Sequence, residues 1–306
     1  MTAITGPQLA TLNEPAAAEF REQIAAGRPV LVNGGLSEWP AMLRWDHDYL
    51  RNAAVKDGVT LGIFQADRAS DWLKTVDGAM PMAEIVDRIW QARPEDPFPR
   101  GSLFYMKQQP LQNFPGLLKD VRRPQFYPDN IVEVNLWVGG QGSWSPLHFD
   151  MADNLMCQVL GTRRVWLYEP GQSRDLYPVF ATGALDNPDV PAHFSMIGDV
   201  RAADTGRFAR FAGVQPAAAV DLEPGQMLYV PPYWWHHVEI VDGPAILVNF
   251  WYAAQFGGPL TKDEQQKELE LVANLRGLFE RAHPARQGAL TGMFESICHL
   301  AGRPRP

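Results

Sequence analysis

The sequence predicts a mainly β domain, an antiparallel sandwich or barrel, with helices kept to its flanks. Three observations carry this expectation. From Leu103 to about Ala254 the chain runs in short stretches rich in Val, Ile, Leu, Tyr and Trp: LFYMKQQ, NIVEVNLWVGG, NLMCQVLGTRRVWLYEP, QMLYVPPYWWHHVEIV and PAILVNFWYAA. Gly and Pro separate these stretches, and no helical period intervenes. With 306 residues, 46% of them hydrophobic and 20% charged, the chain can bury one large core or two small ones.

Ahead of the β region, Asn13-Glu-Pro15 reads as a helix start, Phe20 and Ile24 share one face of that helix, and Gly27 closes it. RPVLVNGG is then a short buried strand. The segment to about residue 100, which holds Trp39 and Trp45, mixes short helices with loops. Gly161-Thr162 reads as a turn between strands. The stretch from Gly171 to about Val220, rich in Pro, Asp and Ala, is expected to be a long excursion of the kind that forms functional loops or lids. Thr261-Lys-Asp-Glu264 fits a capping box ahead of an apolar stripe, Leu271, Leu275, Leu278 and Ala282, and a second helix carries Leu290, Met293, Phe294 and Ile297. This pair either covers the barrel or forms an oligomer interface.

Composition narrows the function. A net charge of −8, with no basic run longer than Arg122-Arg123 or Arg163-Arg164, argues against a nucleic-acid partner. Cys157 and Cys298 are too few for a disulfide framework and fit no zinc spacing. The N-terminus lacks the basic start and apolar run of a signal peptide, no segment approaches a membrane span, and a cytoplasmic location is the default.

The chemistry begins at SPLHFDMADN. About one His-x-Asp/Glu match is expected by chance, and the chain has two, His148-Phe-Asp150 and His237-Val-Glu239. In a strand His148 and Asp150 lean to one face while Phe149 points away. A third ligand must come from another strand, and PPYWWHHVEI supplies it. His236 shares its face with Val238 and Ile240, so parity turns His236 inward and leaves His237-Val-Glu239 as the chance match. Two imidazoles and one carboxylate form the facial triad of non-heme Fe(II) oxygenases, whereas zinc favours four-coordination. Such an enzyme needs two electrons, most commonly from 2-oxoglutarate, whose far carboxylate requires a cation. Arg163 lies fifteen residues beyond His148 in an apolar run and could grip it bidentately. Trp234 and Trp235 are read as packing, and His47, His193, His283 and His299 as surface or packing residues, His193 being singular in lying within the expected lid.

Taken together, Ser145-Pro-Leu-His148-Phe-Asp150, Asn154, Gly161-x-Arg163, Pro-x-Trp-Trp-His236 and Val-Asn249-Phe-Trp251 resemble the JmjC or cupin-like family of Fe(II)/2-oxoglutarate dioxygenases. The likeness is greatest to the branch with the asparaginyl hydroxylase that acts on hypoxia-inducible factor, and it extends to RPVLVNGGLSEWPAMLRW and to the C-terminal helices, similar to that enzyme's dimerisation module. It implies a double-stranded β-helix, a cupin-like jelly roll, over residues 1–256, with a helical flank before it and a homodimerising helical pair over 257–306. It implies Fe(II) on His148, Asp150 and His236, with O2 and 2-oxoglutarate as co-substrates. Tyr105 and Ser145 would meet the 2-oxoglutarate C5 carboxylate beside Arg163, with Asn154 in the same set, and Asn249 and Trp251 would line the cofactor or substrate end. The cation is more often Lys in that branch, and parity does not decide whether Arg163 or Arg164 faces inward.

The substrate this implies is a protein or peptide side chain or an amino-acid-like molecule, with hydroxylation the outcome and N-methyl demethylation the alternative. A metal-binding cupin without oxygenase chemistry would more usually carry His-x-His followed by Glu. A purely structural interaction protein would have no use for the triad.

Overall fold

The computed structural model describes residues 9–57, 60–64, 75–91, 105–127, 131–179 and 193–252. The N-terminal part begins with β1 (Ala10–Asn13) and α1 (Ala17–Ala26). Phe20 and Ile24 are buried on one face of α1, and Gly27 ends it in the left-handed conformation at φ 61°, its N–H donating to the Ile24 carbonyl at 2.9 Å. The strand expected in RPVLVNGG is β2 (Val30–Asn33). It pairs in parallel with β1, which at four residues is too short to show a period.

Helices α2 (Ala41–Arg44), α3 (His47–Asp57) and α4 (Met82–Gln91) and the antiparallel pair β3 (Thr60–Phe64) and β4 (Thr75–Pro81) follow. They precede β5 (Tyr105–Pro110) and α5 (Pro115–Leu118). The buried Asp120 ties this layer together, accepting from Arg44 Nη1 at 2.9 Å and Trp45 Nε1 at 3.2 Å.

The β region comprises β6 (Ile131–Gly139), β7 (Trp144–Phe149), β8 (Asp153–Tyr168), β9 (Ala218–Leu222), β10 (Met227–Val230) and β11 (Trp235–Tyr252). The sheet runs β1-β2-β10-β8-β11-β6-β5, with β7 added on β11 and β9 on β8. Two strands serve both layers of the roll. The first half of β8 pairs with β10 and the end of β11, whereas its second half pairs with β9 and the start of β11. This is a jelly roll, as the resemblance implied.

Gly161-Thr162 is therefore a bend inside a continuous strand rather than a turn between two strands. At Gly161 φ is +65°, and the register with β11 shifts between Ile240 and Leu247. A Cβ at Gly161 would lie 2.6 Å from the Pro244 carbonyl oxygen and 2.7 Å from that of Asp242, so only glycine lets the two backbones bend together. The Gln158 side chain holds the bend from inside, donating to the carbonyls of Leu160 and Gly161 at 2.7 and 2.8 Å.

The excursion after Gly171 also differs from expectation. Its last residues already belong to β9, and residues 180–192 lie outside the described residues. Leu147 N–H donates to Gly198 O at 2.9 Å, Ser195 N–H to Leu147 O at 2.8 Å and Phe149 N–H to His193 O at 3.2 Å, so residues 193–198 cover the open edge of β7. The helical pair expected over 257–306 lies outside the described residues.

Two apolar clusters explain why the strands read as nearly unbroken hydrophobic runs. The outer face of the large layer, with Leu136, Leu155, Val248 and Phe250, packs against Phe20, Trp39, Leu50, Ile85 and Ile89 of the helical flank. Met156, Val165, Leu167, Leu228, Val238 and Leu247 fill the interior of the roll. Strands buried on both faces lose the polar alternation of a half-exposed sheet.

Gly161→Ala is expected to destabilise the fold by about 2 kcal/mol or more, since strain at a positive φ adds to a backbone collision. Urea unfolding of the two proteins measures it, and an unchanged midpoint would contradict the role given to the bend.

Candidate metal and co-substrate site

The site is built where β7 ends against the start of β11. His148 stands directly opposite His236 in the antiparallel register, and their ring centroids are 4.2 Å apart. Asp150 follows the last residue of β7 on the His148 face. Ligand-capable atoms of His148, Asp150 and His236 all lie within 4.8 Å of one another, and Asp150 Oδ2 is 3.7 Å from His236 Nε2.

Each imidazole is held from behind. His148 Nδ1 is 2.6 Å from the Pro146 carbonyl and His236 Nδ1 is 3.1 Å from the Trp234 carbonyl, so Nδ1–H donates in both and the Nε2 lone pair is left to point forward. Burial, and then the neighbouring His236 and His193, hold His148 well below the ordinary histidine range, which keeps its ring neutral.

The carboxylate is aimed by a relay that crosses three strands. Trp137 Nε1–H donates to Asn249 Oδ1 at 2.7 Å, Asn249 Nδ2–H to Asn154 Oδ1 at 3.1 Å, and Asn154 Nδ2–H to Asp150 Oδ2 at 2.9 Å. Two inward lone pairs beside a carboxylate repel one another without a cation. With one they make the two-nitrogen, one-oxygen face suited to Fe(II) that leaves further positions open. The donor set fits the metal.

A cavity joins this cluster to the interior of the roll. All nine side chains singled out in the sequence line it: Tyr105, Ser145, His148, Asp150, Asn154, Arg163, His236, Asn249 and Trp251. Of the adjacent arginines, Arg163 faces inward and is 1% exposed, whereas Arg164 forms an outward two-pronged pair with Asp221 at 2.6 and 2.7 Å. Arg163 donates only to neutral acceptors: Gln158 Oε1 at 2.8 Å, the Trp137 carbonyl at 3.2 Å and the Ala245 carbonyl at 3.4 Å. Among the described residues no carboxylate pairs with it. A buried guanidinium without an anion is costly, and the Tyr105 and Ser145 hydroxyls, 3.5 Å apart, face the same space. Together these groups could hold a carboxylate.

Other residues reach the site without having been singled out. Trp137, Met156, Val238 and Leu247 also line the cavity. Strand parity in β6 and β11 could have found them, given the register. His193, read as surface or packing, is drawn in by the edge pairing with β7, its ring 6.4 Å from that of His148 and 4.7 Å from that of Phe194. His237 points away from the cavity as parity required, yet it too is fully buried, packed against Trp144 and Trp166 at 5.6 and 5.3 Å. Burial pushes its pKa down to about 3. The face opposite the cavity is thus covered, not solvated. Phe149 turns from the cavity onto Trp235 and Tyr233.

Comparison with known proteins agrees with this arrangement. A family model described as a cupin-like domain matches residues 16–258. The chain is 28% identical over 251 residues to Jumonji C domain-containing protein 5 of Drosophila melanogaster, covering 79% of this chain and 59% of that protein. It is 25% identical over 249 residues to Lysine-specific demethylase 8 of Xenopus tropicalis, covering 79% and 52%. It is 26% identical over 269 residues to the bifunctional peptidase and (3S)-lysyl hydroxylase of Homo sapiens, covering 78% and 81%. The chain spans little more than half the length of the first two.

Asn154→Ala, which removes the amide that aims Asp150, is expected to weaken divalent-metal binding about tenfold to a hundredfold. His148→Ala should weaken it further. Titration with Mn(II), followed by electron paramagnetic resonance, measures both; equal affinity in all three proteins would remove these residues from the metal site.

Proposed function

Because this chain belongs to the cupin-like domain family, we propose that it is an Fe(II)- and 2-oxoglutarate-dependent oxygenase that hydroxylates a side chain of a protein or peptide. The observation that carries this reading is one cavity with a His-His-Asp cluster toward its mouth and an unpaired buried guanidinium deeper inside. Arg163 lies four residues from Leu167, the cross-strand partner of His236, or about 13 Å along β8 before the reach of either side chain is subtracted. A five-carbon dicarboxylate suits such a gap.

His148, Asp150 and His236 would hold the metal, and Arg163, Tyr105 and Ser145 would hold the far carboxylate of 2-oxoglutarate. The bound iron and 2-oxoglutarate supply the oxidising chemistry: one C–H becomes C–OH, O2 is divided between the products, and 2-oxoglutarate leaves as succinate and CO2. What the chain does is orient. The Asn154–Asn249–Trp137 relay fixes the carboxylate ligand, the backbone carbonyls fix both imidazoles, and Met156, Val238 and Leu247 line the cavity with apolar surface that keeps water from the reacting end.

The relatives' names favour lysine as the residue acted on. The Xenopus relative's name also favours a second reading, in which hydroxylation of an N-methyl carbon leads to demethylation. Narrower kinship with the asparaginyl-hydroxylase branch, and a homodimer through residues 257–306, belong to this proposal and rest on the sequence resemblance.

Purified protein supplied with Fe(II), ascorbate and 2-oxoglutarate is expected to release succinate, and His148→Ala to abolish that release. Arg163→Leu should raise the KM for 2-oxoglutarate about tenfold or more, the cost of a lost charged hydrogen bond, and Arg163→Lys should recover part of it. Arg164→Ala should leave that KM unchanged. Absence of succinate from the wild-type protein, or equal release by His148→Ala, would end the oxygenase reading.

A further inference from the structure

The cavity encloses a nucleophile that neither metal nor co-substrate binding uses. Of the described residues that line it, Met156 alone carries a sulfur. A thioether keeps its lone pairs at every pH and takes up an oxygen atom without losing a bond. Trp137 and Trp251 line the same space, but an indole must give up its aromaticity to accept that atom.

Two strands bracket Met156 against the metal ligands. On β8 it stands one pleat, about 7 Å along the chain, beyond Asn154, whose amide aims Asp150, and alternation puts both side chains on the cavity face. One pleat further is Gln158, which holds Arg163. Met156 therefore flanks the span between the metal and the cation. On β11, Val238 is one pleat beyond His236 and belongs with Met156 to the apolar cluster that fills the roll. Solvent is kept away: Met156 is 6% exposed, whereas Met42, Met80, Met151 and Met196 are half-buried. An oxidant diffusing in from water meets those four first. One produced inside the cavity meets Met156 first.

We propose that Met156 is a self-oxidation site, the thioether on which the oxidising power of the metal falls when 2-oxoglutarate is consumed with no substrate in the cavity. The inference rests on the oxygenase reading and adds to it a modification of the chain itself. One atom of O2 becomes the sulfoxide oxygen of Met156, and the other enters succinate as 2-oxoglutarate loses CO2. Of the electrons that O2 takes up, half come from the sulfur and half from 2-oxoglutarate, so no further reductant is needed. No bond to sulfur breaks and no proton is released. The product sets an S=O dipole among Val238 and Leu247, and an apolar wall becomes polar.

The test incubates the full chain with Fe(II), ascorbate and 2-oxoglutarate and no peptide, follows succinate, and locates oxidation by fragment mass spectra that separate Met151 from Met156. Met156 should gain about 16 Da in ordinary oxygen and about 18 Da in 18O2, about tenfold or more faster than in the same mixture without 2-oxoglutarate. His148→Ala should show no such gain, and Met156→Leu should remove it without moving it to another methionine. Hydrogen peroxide given to the metal-free protein should instead oxidise Met42, Met80, Met151 and Met196 ahead of Met156. Succinate release with Met156 unmodified, oxidation as fast without 2-oxoglutarate or in His148→Ala, oxidation that begins at Trp137, Trp251 or another methionine, or peroxide that also selects Met156 first would each overturn the inference. Absence of succinate from the wild-type protein would overturn the oxygenase reading and remove the ground of this one.

Discussion

The pairing of β8 with β11 through a shared bend is the constraint on which the molecule depends. Each strand runs through both layers of the roll, so the two layers cannot shift independently. Apart from Tyr105 on β5 and Asp150 just beyond β7, the side chains that line the cavity come from this pair or from a strand hydrogen-bonded to it. His236 comes from one half of β11 and Asn249 and Trp251 from the other; Arg163 and Asn154 are divided across β8 in the same way. The bend leaves no room for a Cβ at Gly161, which would lie within 3 Å of the β11 backbone, and a side chain there would disturb the pairing of both layers.

Around that frame the polar groups are arranged so that few ligand atoms have freedom left. Imidazole tautomers are set by carbonyls two residues back, and the carboxylate by a side-chain relay that reaches 112 positions along the sequence from Trp137 to Asn249. Such long connections stiffen the donor set before any ion arrives, because each group is oriented by hydrogen bonds within an apolar surround where they are strong.

Much of this was legible in the sequence, and the reasons differ from residue to residue. His236 could be told from His237 because a strand alternates every two residues, and one set of alternate residues was apolar. Arg163 could not be told from Arg164 in the same way, since the bend at Gly161 interrupts the count that would link them to Asn154. The triad followed from strand parity and spacing, and Tyr105, Ser145, Asn154, Asn249 and Trp251 from the family resemblance, whereas Trp137, Met156 and Leu247 depend on which strand lies beside which. β1 and β9 are short and take their place from the strand beside each, β2 and β8. His193 stood out only by lying in the expected excursion, and its place beside the triad comes from an edge contact with β7 that local pattern does not encode.

Gln158 links two of these features in a single side chain. Its amide N–H groups close the bend at Leu160 and Gly161, and its oxygen receives Arg163. Arg163 is thereby tied to the bend of the fold, so its distance from the triad is set by the backbone of β8 rather than by its own rotamer. On the proposed function that distance is a ruler for the co-substrate: an oxoacid one carbon longer or shorter would demand a different bend, not merely a different side chain.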